Sequence, residues 1–201
     1  MSLATMKDKP QHLDSLPTFH FDVDESLAGW NMPAREWLTK NDKQWTVIAS
    51  GCAIFNSDEK VLVIQRASHD SLPNRWEIPG GAVEEADPTI FYGGARELWE
   101  ETGLVAVRFS HIITEGPEKE PGQVFANSTN TKIICRFCFA MEVESCETVT
   151  LDPNEHQSFT WATEEEIRGN KIGRSEHPIT NERMRALILE AFRLRKSRIE
   201  I

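Results

Sequence analysis

Three glutamates, Glu97, Glu100 and Glu101, stand at positions i, i+3 and i+4 of one segment. On a helix that spacing places all three carboxylates on one face. Phe91, Gly94, Ala95, Leu98 and Thr102 then form an apolar or small stripe for packing. Such an acidic face is costly on its own. Like charges three or four residues apart lose a few tenths of a kcal/mol per pair. Glu100 and Glu101 also fall in the last turn before Gly103, where the helix dipole disfavours anions by ~0.3–1 kcal/mol each. The sum is roughly 1–2 kcal/mol. Either this is a solvated acidic surface, or a bound cation removes the penalty. From Gly81 to Leu104 the sequence holds six acids (Glu84, Glu85, Asp87, Glu97, Glu100, Glu101) and a single base, Arg96. This concentration follows Gly80-Gly81, a pair that frees the backbone for close approach to a ligand. The combination suits a hard dication, which takes oxygen ligands from a few carboxylates and from phosphates.

The elements that must position these acids can be read from pattern. Thr46 to Phe55 and Val61 to Gln65 are rich in β-branched and apolar residues and flank the turn signal Asn56-Ser57-Asp58, the pattern of a hairpin. Trp76 to Ile78 is a short extended piece before Pro79-Gly80-Gly81. Asp87-Pro88 reads as the opening of the acidic helix, with Asp87 as N-cap and Pro88 in the first turn; Gly103 closes it. Leu104 to Thr114 and Lys132 to Glu144 read as strands. Between them lies a long polar loop, Glu115 to Thr131, of a length that is usually functional or disordered. Its Phe125 is a candidate for stacking on a base. Gln157 to Ala162 reads as one more strand, and Thr163-Glu164-Glu165-Glu166 as a capping box. Met184, Leu187, Ile188, Ala191 and Phe192 recur at the spacing of a last helix's buried stripe.

The stretch from Gly81 to Leu104 resembles the box of the Nudix hydrolases, G-x5-E-x7-R-E-U-x-E-E-x-G-U, with U a bulky aliphatic residue. Gly81 matches, as does the whole run Arg96-Glu97-Leu98-x-Glu100-Glu101-x-Gly103-Leu104. Two positions depart from it: the first acid is Asp87 instead of Glu, and eight residues instead of seven separate it from Arg96. The resemblance implies an α/β protein, an α/β/α sandwich around a mixed β-sheet in a single domain. It also implies a metal-dependent hydrolase that cleaves the pyrophosphate linkage of a nucleoside diphosphate derivative by water attack on phosphorus. Carried over by position, Glu97, Glu100 and Glu101 would ligate Mg²⁺ or Mn²⁺ with the Gly81 carbonyl. Arg96 and the box's first acid would brace the loop against the helix.

The same resemblance places a general base on a later loop. Glu155, with His156 second, is the candidate in Asp152-Pro153-Asn154-Glu155-His156; an ordinary polar turn is the other reading. Glu100 or Glu101 could also serve as a catalytic group. Arg66 and Arg75 are candidates for contacting phosphate oxygens, against simple surface ion pairing. A non-catalytic nucleotide- or metabolite-binding module on the same fold is the alternative function. A homodimer is compatible with the family, and the aromatic N-terminal extension offers a surface for it.

Composition narrows the partners. The 201 residues carry 22 Lys+Arg against 32 Asp+Glu, a net charge of -10. That argues against long nucleic acid and anionic membranes, which call for a basic face, and leaves a small-molecule nucleotide as the expected partner. No stretch approaches a membrane span. Met1 to Pro10 has no apolar run of signal-peptide length, so the expected location is cytoplasmic. Cys135 and Cys138 form a CxxC, but three residues apart on a strand they point to opposite faces. They read as buried thiols, not zinc ligands. Residues 1–44 contain Pro10, Pro17 and Pro33 among scattered aromatics and read as an extension packing on the domain, with a disordered tip and a short helix from Pro33 to Lys40. Residues 45–201 read as the Nudix-like domain.

Overall fold

The computed structural model describes residues 16–175 and 177–199; the expected disordered tip lies outside the described residues. In chain order the elements are β1 (Asp22–Val23), a 3₁₀ turn (Glu25–Trp30), α1 (Ala34–Lys40), β2 (Val47–Ala53), β3 (Val61–Arg66), β4 (Trp76–Glu77), β5 (Gly80–Ala82) and α2 (Ile90–Thr102). There follow β6 (Ala106–Ile113), β7 (Gln123–Ala126), β8 (Ile133–Val143), β9 (His156–Ala162), α3 (Glu164–Arg168) and α4 (Glu182–Ile199). A mixed sheet runs β1-β6-β8-β2-β5, with β7 also pairing β8. β2·β8 and β1·β6 are parallel. A smaller antiparallel sheet runs β4-β3-β9.

The large sheet separates two apolar cores, and β8 shows how its sequence builds both. Alternate side chains of a strand point to opposite faces. Cys135, Phe137, Phe139 and Met141 enter the core under α2, beside Ile90, Phe91, Ala95 and Leu98. Cys138 and Ala140 enter the other, against α4's Met184, Leu187, Ile188, Ala191 and Phe192 and the small sheet's Val61, Val63 and Ala162. Each fully buried Leu, Ile or Phe contributes about 1.5–3 kcal/mol of transfer free energy. The layering is the expected helix-sheet-helix arrangement around a mixed sheet. The CxxC thiols lie in different cores, and burial pushes both up to about 12, out of range for a thiolate ligand or nucleophile. Phe19, Leu27 and Trp37 are buried in the α2 core, with Trp37 4.9 Å from Phe137 between ring centroids.

Three sequence expectations are corrected. β2 and β3 do not form a hairpin within one sheet: both edges of β2 are taken, by β8 and β5. Only a bridge between Phe55 and Val61 and a bond from Leu62 N to Ile54 O (2.9 Å) join the two strands before β3 peels into the small sheet. Residues 115–131 are not all loop. β6 covers β8 only from Val143 back to Cys138, and β7 pairs with the edge left open from Arg136 to Ile133, as exposed ladder groups require partners. Finally, Asp87 does not cap α2. Thr89 does, its side chain accepting from Tyr92 N at 3.0 Å, and Asp87 turns inward to another partner. Among the described residues no helix is long and apolar enough to cross a membrane.

Candidate active site

Glycines set α2 and its loop against β2. At Gly94 a Cβ would lie 2.5 Å from Ser50 Oγ, so only glycine lets the helix lie this close. Gly80, at φ +137°, pairs with Gly51, and a Cβ there would lie 2.1 Å from the Ser50 carbonyl oxygen. Gly81 follows, and a Cβ on it would occupy the place of the Glu97 carboxylate, 2.2 Å from Oε2. The loop therefore brings bare backbone against the acids of α2.

Arg96 ties loop to helix from inside. Its Nε and Nη2 donate to the two oxygens of Asp87 (3.1 and 2.9 Å), Nη2 also to Ala82 O (2.9 Å), and Nη1 to Glu97 (3.0 Å) and Glu100 (2.8 Å). All five guanidinium donors are used. Burial opposes the charge on Arg96, but Asp87, Glu97 and Glu100 outweigh it and hold the proton more firmly than usual. Asp87 is itself 4% exposed and also accepts from Glu84 N at 2.8 Å. Although shorter than Glu and one residue further from Arg96, it makes a two-pronged contact with the guanidinium.

The remaining carboxylates converge on a cleft of about 470 Å³. Glu101 is 5% exposed and accepts from Gly80 N at 2.7 Å. Burial, then Glu97 and Glu77 nearby, pushes its carboxyl well above the ordinary range, against the Gly80 bond. Glu97 is likewise pushed up to about 7 by burial, with Glu100 and Glu155 adding to it and Arg96 opposing. Across the cleft, Glu77 bonds to Arg66. Burial raises Glu77, but His156, Arg136 and Arg66 together hold it below its ordinary value. The imidazole of His156 is 3% exposed, with Nε2 3.7 Å from Glu77 and 3.9 Å from Glu101, too far for hydrogen bonds. Neither ring nitrogen has a hydrogen-bond partner among the described residues. The turn before β9 sets this side of the cleft: Asp152 accepts from Asn154 N (2.9 Å), and Ala67 N bonds Glu155 O (2.8 Å).

These residues fit a dication. One ligand atom each from Glu101, Glu155 and His156 lie within 4.8 Å of one another. Buried carboxyls held above their ordinary range and a buried imidazole without a hydrogen bond among the described residues are the marks of a site short of a positive charge. Oxygen donors with one nitrogen suit Mn²⁺ as well as Mg²⁺.

The sequence-derived candidates separate. Gly81, Glu97, Glu101, Glu155, His156 and Arg66 all line the cleft. Glu100 lies on the same helix face but outside the lining, bonded to Arg96. Arg66 is occupied by Glu77, Asp70 and the Ser71 carbonyl, which leaves little of it for a phosphate. Arg75 is half-buried outside the cleft, its carbonyl accepting from Arg66 N. Phe125 stands beside the cleft on β7, 38% exposed, under the guanidinium of Arg136. Sequence reasoning passed over Glu77 and Arg136. Both carried a signal: each is a charge flanked on both sides by apolar residues.

A NUDIX domain model matches residues 45–183. Over 120 residues the chain is 32% identical to phosphatase NudJ of Escherichia coli, covering 57% of this chain and 67% of that protein. A stretch of 50 residues is 50% identical to the m7GpppN-mRNA hydrolase NUDT17 of Bos taurus, 24% of this chain but only 16% of that protein. Among solved structures, a MutT protein from Methanosarcina mazei Go1 is similar with TM-score 0.55 and 25% identity over 75% of this chain and 94% of that one. A UDP-X diphosphatase shares the fold with TM-score 0.53 at 16% identity, over 82% of this chain and 70% of that one. With the family model covering more than half of the residues, and the motif's Gly81, Glu97 and Glu101 gathered at one cleft, the chain belongs to the NUDIX family of hydrolases.

Proposed function

We propose that this chain hydrolyses the pyrophosphate linkage of a nucleoside diphosphate derivative with Mg²⁺ or Mn²⁺, water attacking phosphorus. The observation that carries this reading is the convergence of buried Glu97 and Glu101 with Glu155 and His156 on one cleft. Glu97, Glu101 and the Gly81 carbonyl are the groups that would hold the dication, with His156 as a nitrogen donor and Glu100 as a further oxygen. When bound, a dication polarises phosphate oxygens and neutralises their charge. Glu155, exposed at the cleft rim, takes the proton of the attacking water. The water oxygen bonds to phosphorus as the bridging P–O bond breaks, and the displaced phosphate carries away that bond's electron pair. Arg96 touches none of these atoms; it fixes the loop and two of the acids.

Glu155→Gln is expected to lower kcat by 10²-fold or more, the usual worth of a positioned proton acceptor, with KM little changed. A drop below tenfold in Glu155→Gln, beside a 10²-fold drop in His156→Gln, would move the role to His156. The whole reading is tested on a panel of nucleoside diphosphate derivatives in ¹⁸O-water, with Mg²⁺, Mn²⁺ or EDTA. Cation-dependent turnover with ¹⁸O in a phosphate product supports it. Tight nucleotide binding without turnover in either cation favours the binding-module alternative.

Glu97 also gives a pH signature to the metal-free protein. Its carboxyl ionises near 4.5 when unfolded and at about 7 when folded. Between those values the folded chain keeps a proton the unfolded chain has lost, so stability falls as pH rises. The loss is about 3 kcal/mol once pH is well above 7. Urea unfolding at pH 5 and pH 8.5 should show it, Glu97→Gln should lessen it while Glu101 keeps its own share, and Mn²⁺ should reverse it at the higher pH.

A further inference from the structure

Arg136 differs from every other cation near the cleft. Arg96 and Arg66 are consumed by carboxylates, whereas Arg136 makes no ion pair among the described residues and its buried Nε has no hydrogen-bond partner. It projects from β8, whose residue 136 pairs with Ala49 of β2 and Gln123 of β7. Gly51 lies beside its stem: a Cβ there would be in ordinary contact with Arg136 Cδ, at 3.5 Å. The guanidinium lines the cleft that holds Glu97 and Glu101 and at the same time lies over the ring of Phe125, 5.7 Å from its centroid. Phe125 shares a face of β7 with Gln123, two residues away, as the pleat dictates. β7 is held in place by Arg183 of α4, which bonds the Val124 carbonyl (3.0 Å) and Glu115. A planar cation thus bridges an acidic cleft and an exposed aromatic ring.

We infer that Arg136 and Phe125 form the nucleoside subsite, which rests on the pyrophosphatase reading and assigns the residues that hold its base. Arg136 takes the phosphate remote from the acids, with the planar fork that suits phosphate oxygens, and Phe125 offers its free face to the base. Substrates carrying an aromatic base next to the diphosphate are then preferred over diphosphates without one. Arg66, although in the cleft, lacks the free donors for this role.

The test is calorimetric binding of non-hydrolysable methylene-bridged diphosphates of adenosine, guanosine and uridine, and of methylenediphosphonate itself, to the Mn²⁺-loaded protein. Phe125→Leu should raise the Kd of the best-binding nucleoside probe by between about 5- and 150-fold, the range for one stacked base, and leave methylenediphosphonate unchanged. Arg136→Met should weaken both probes, and Arg136→Lys should recover part of the loss by restoring the charge. Equal effects of Phe125→Leu on both probes, or unchanged binding in Arg136→Met, would overturn the inference while leaving cation-dependent hydrolysis intact. Selective loss in Phe125→Leu, in a protein that turns over nothing, would support the subsite and overturn the catalytic reading. Circular dichroism on each variant reports that the fold is retained.

Discussion

Glu101→Gln is expected to lower kcat/KM by about 10³-fold or more, equivalent to roughly 4 kcal/mol of transition-state stabilisation, while the metal-free protein becomes no less stable. The two halves of that result come from the same burial. Glu101 is almost wholly enclosed and held among carboxylates that push it well above its ordinary range. In the absence of a cation its ionisation is therefore a cost to the fold. A glutamine keeps the shape, and its carbonyl still accepts from Gly80 N, where Glu101 now does so at 2.7 Å. It removes the charge that a dication needs. Mn²⁺ should raise the melting temperature of the wild type far more than that of the variant. A variant that loses turnover but keeps the full Mn²⁺ stabilisation would show that Glu101 acts on something other than the cation.

The second large effect is structural. Arg96→Met should destabilise the protein by about 3–5 kcal/mol, the usual penalty for breaking a buried ion pair from one side. The substitution leaves Asp87 enclosed without its partner and sets Glu97 and Glu100 against each other without the guanidinium between them. Activity should fall as well, because the glycine loop loses its tie through Ala82 O. Urea unfolding measures the first effect, and kcat at saturating Mn²⁺ the second. Arg96→Lys should recover little, since an ammonium cannot make the fork to Asp87. A cost below about 1 kcal/mol, the level of a surface pair, would mean that the brace is not structural.

The parts of the site lying on one helix face were readable because 3.6-residue periodicity fixes them locally. Glu97, Glu100 and Glu101 had to share a face, and Gly103 takes the left-handed conformation (φ 67°) that closes α2. Asp87 was misassigned because an Asp before Pro satisfies the rules for a helix cap as well as those for an ion pair. Only the tertiary position of Arg96, nine residues on, decides between them. The split of β2 and β3 between two sheets was hidden for a related reason: alternation says which face a residue occupies, not which strand lies alongside. Arg136 and Glu77 were passed over because they come from different sheets, Arg136 lining the cleft and Glu77 lying behind it on Arg66. Their proximity to Glu101 depends on strand pairings such as Gly51 with Gly80 and Ile64 with Glu77, which no local pattern encodes.

The proposed hydrolysis requires the buried carboxylates of α2 to capture a dication at the cleft. Electron paramagnetic resonance of Mn²⁺, titrated with wild type and with Glu101→Gln, tests it most directly, because free and bound ions give separable signals. Stoichiometric loss of the free-ion signal is expected with the wild type, and at least tenfold weaker binding in the variant. Uptake of equal affinity in both proteins, or none in the wild type even beside a methylene-bridged nucleoside diphosphate, would contradict it.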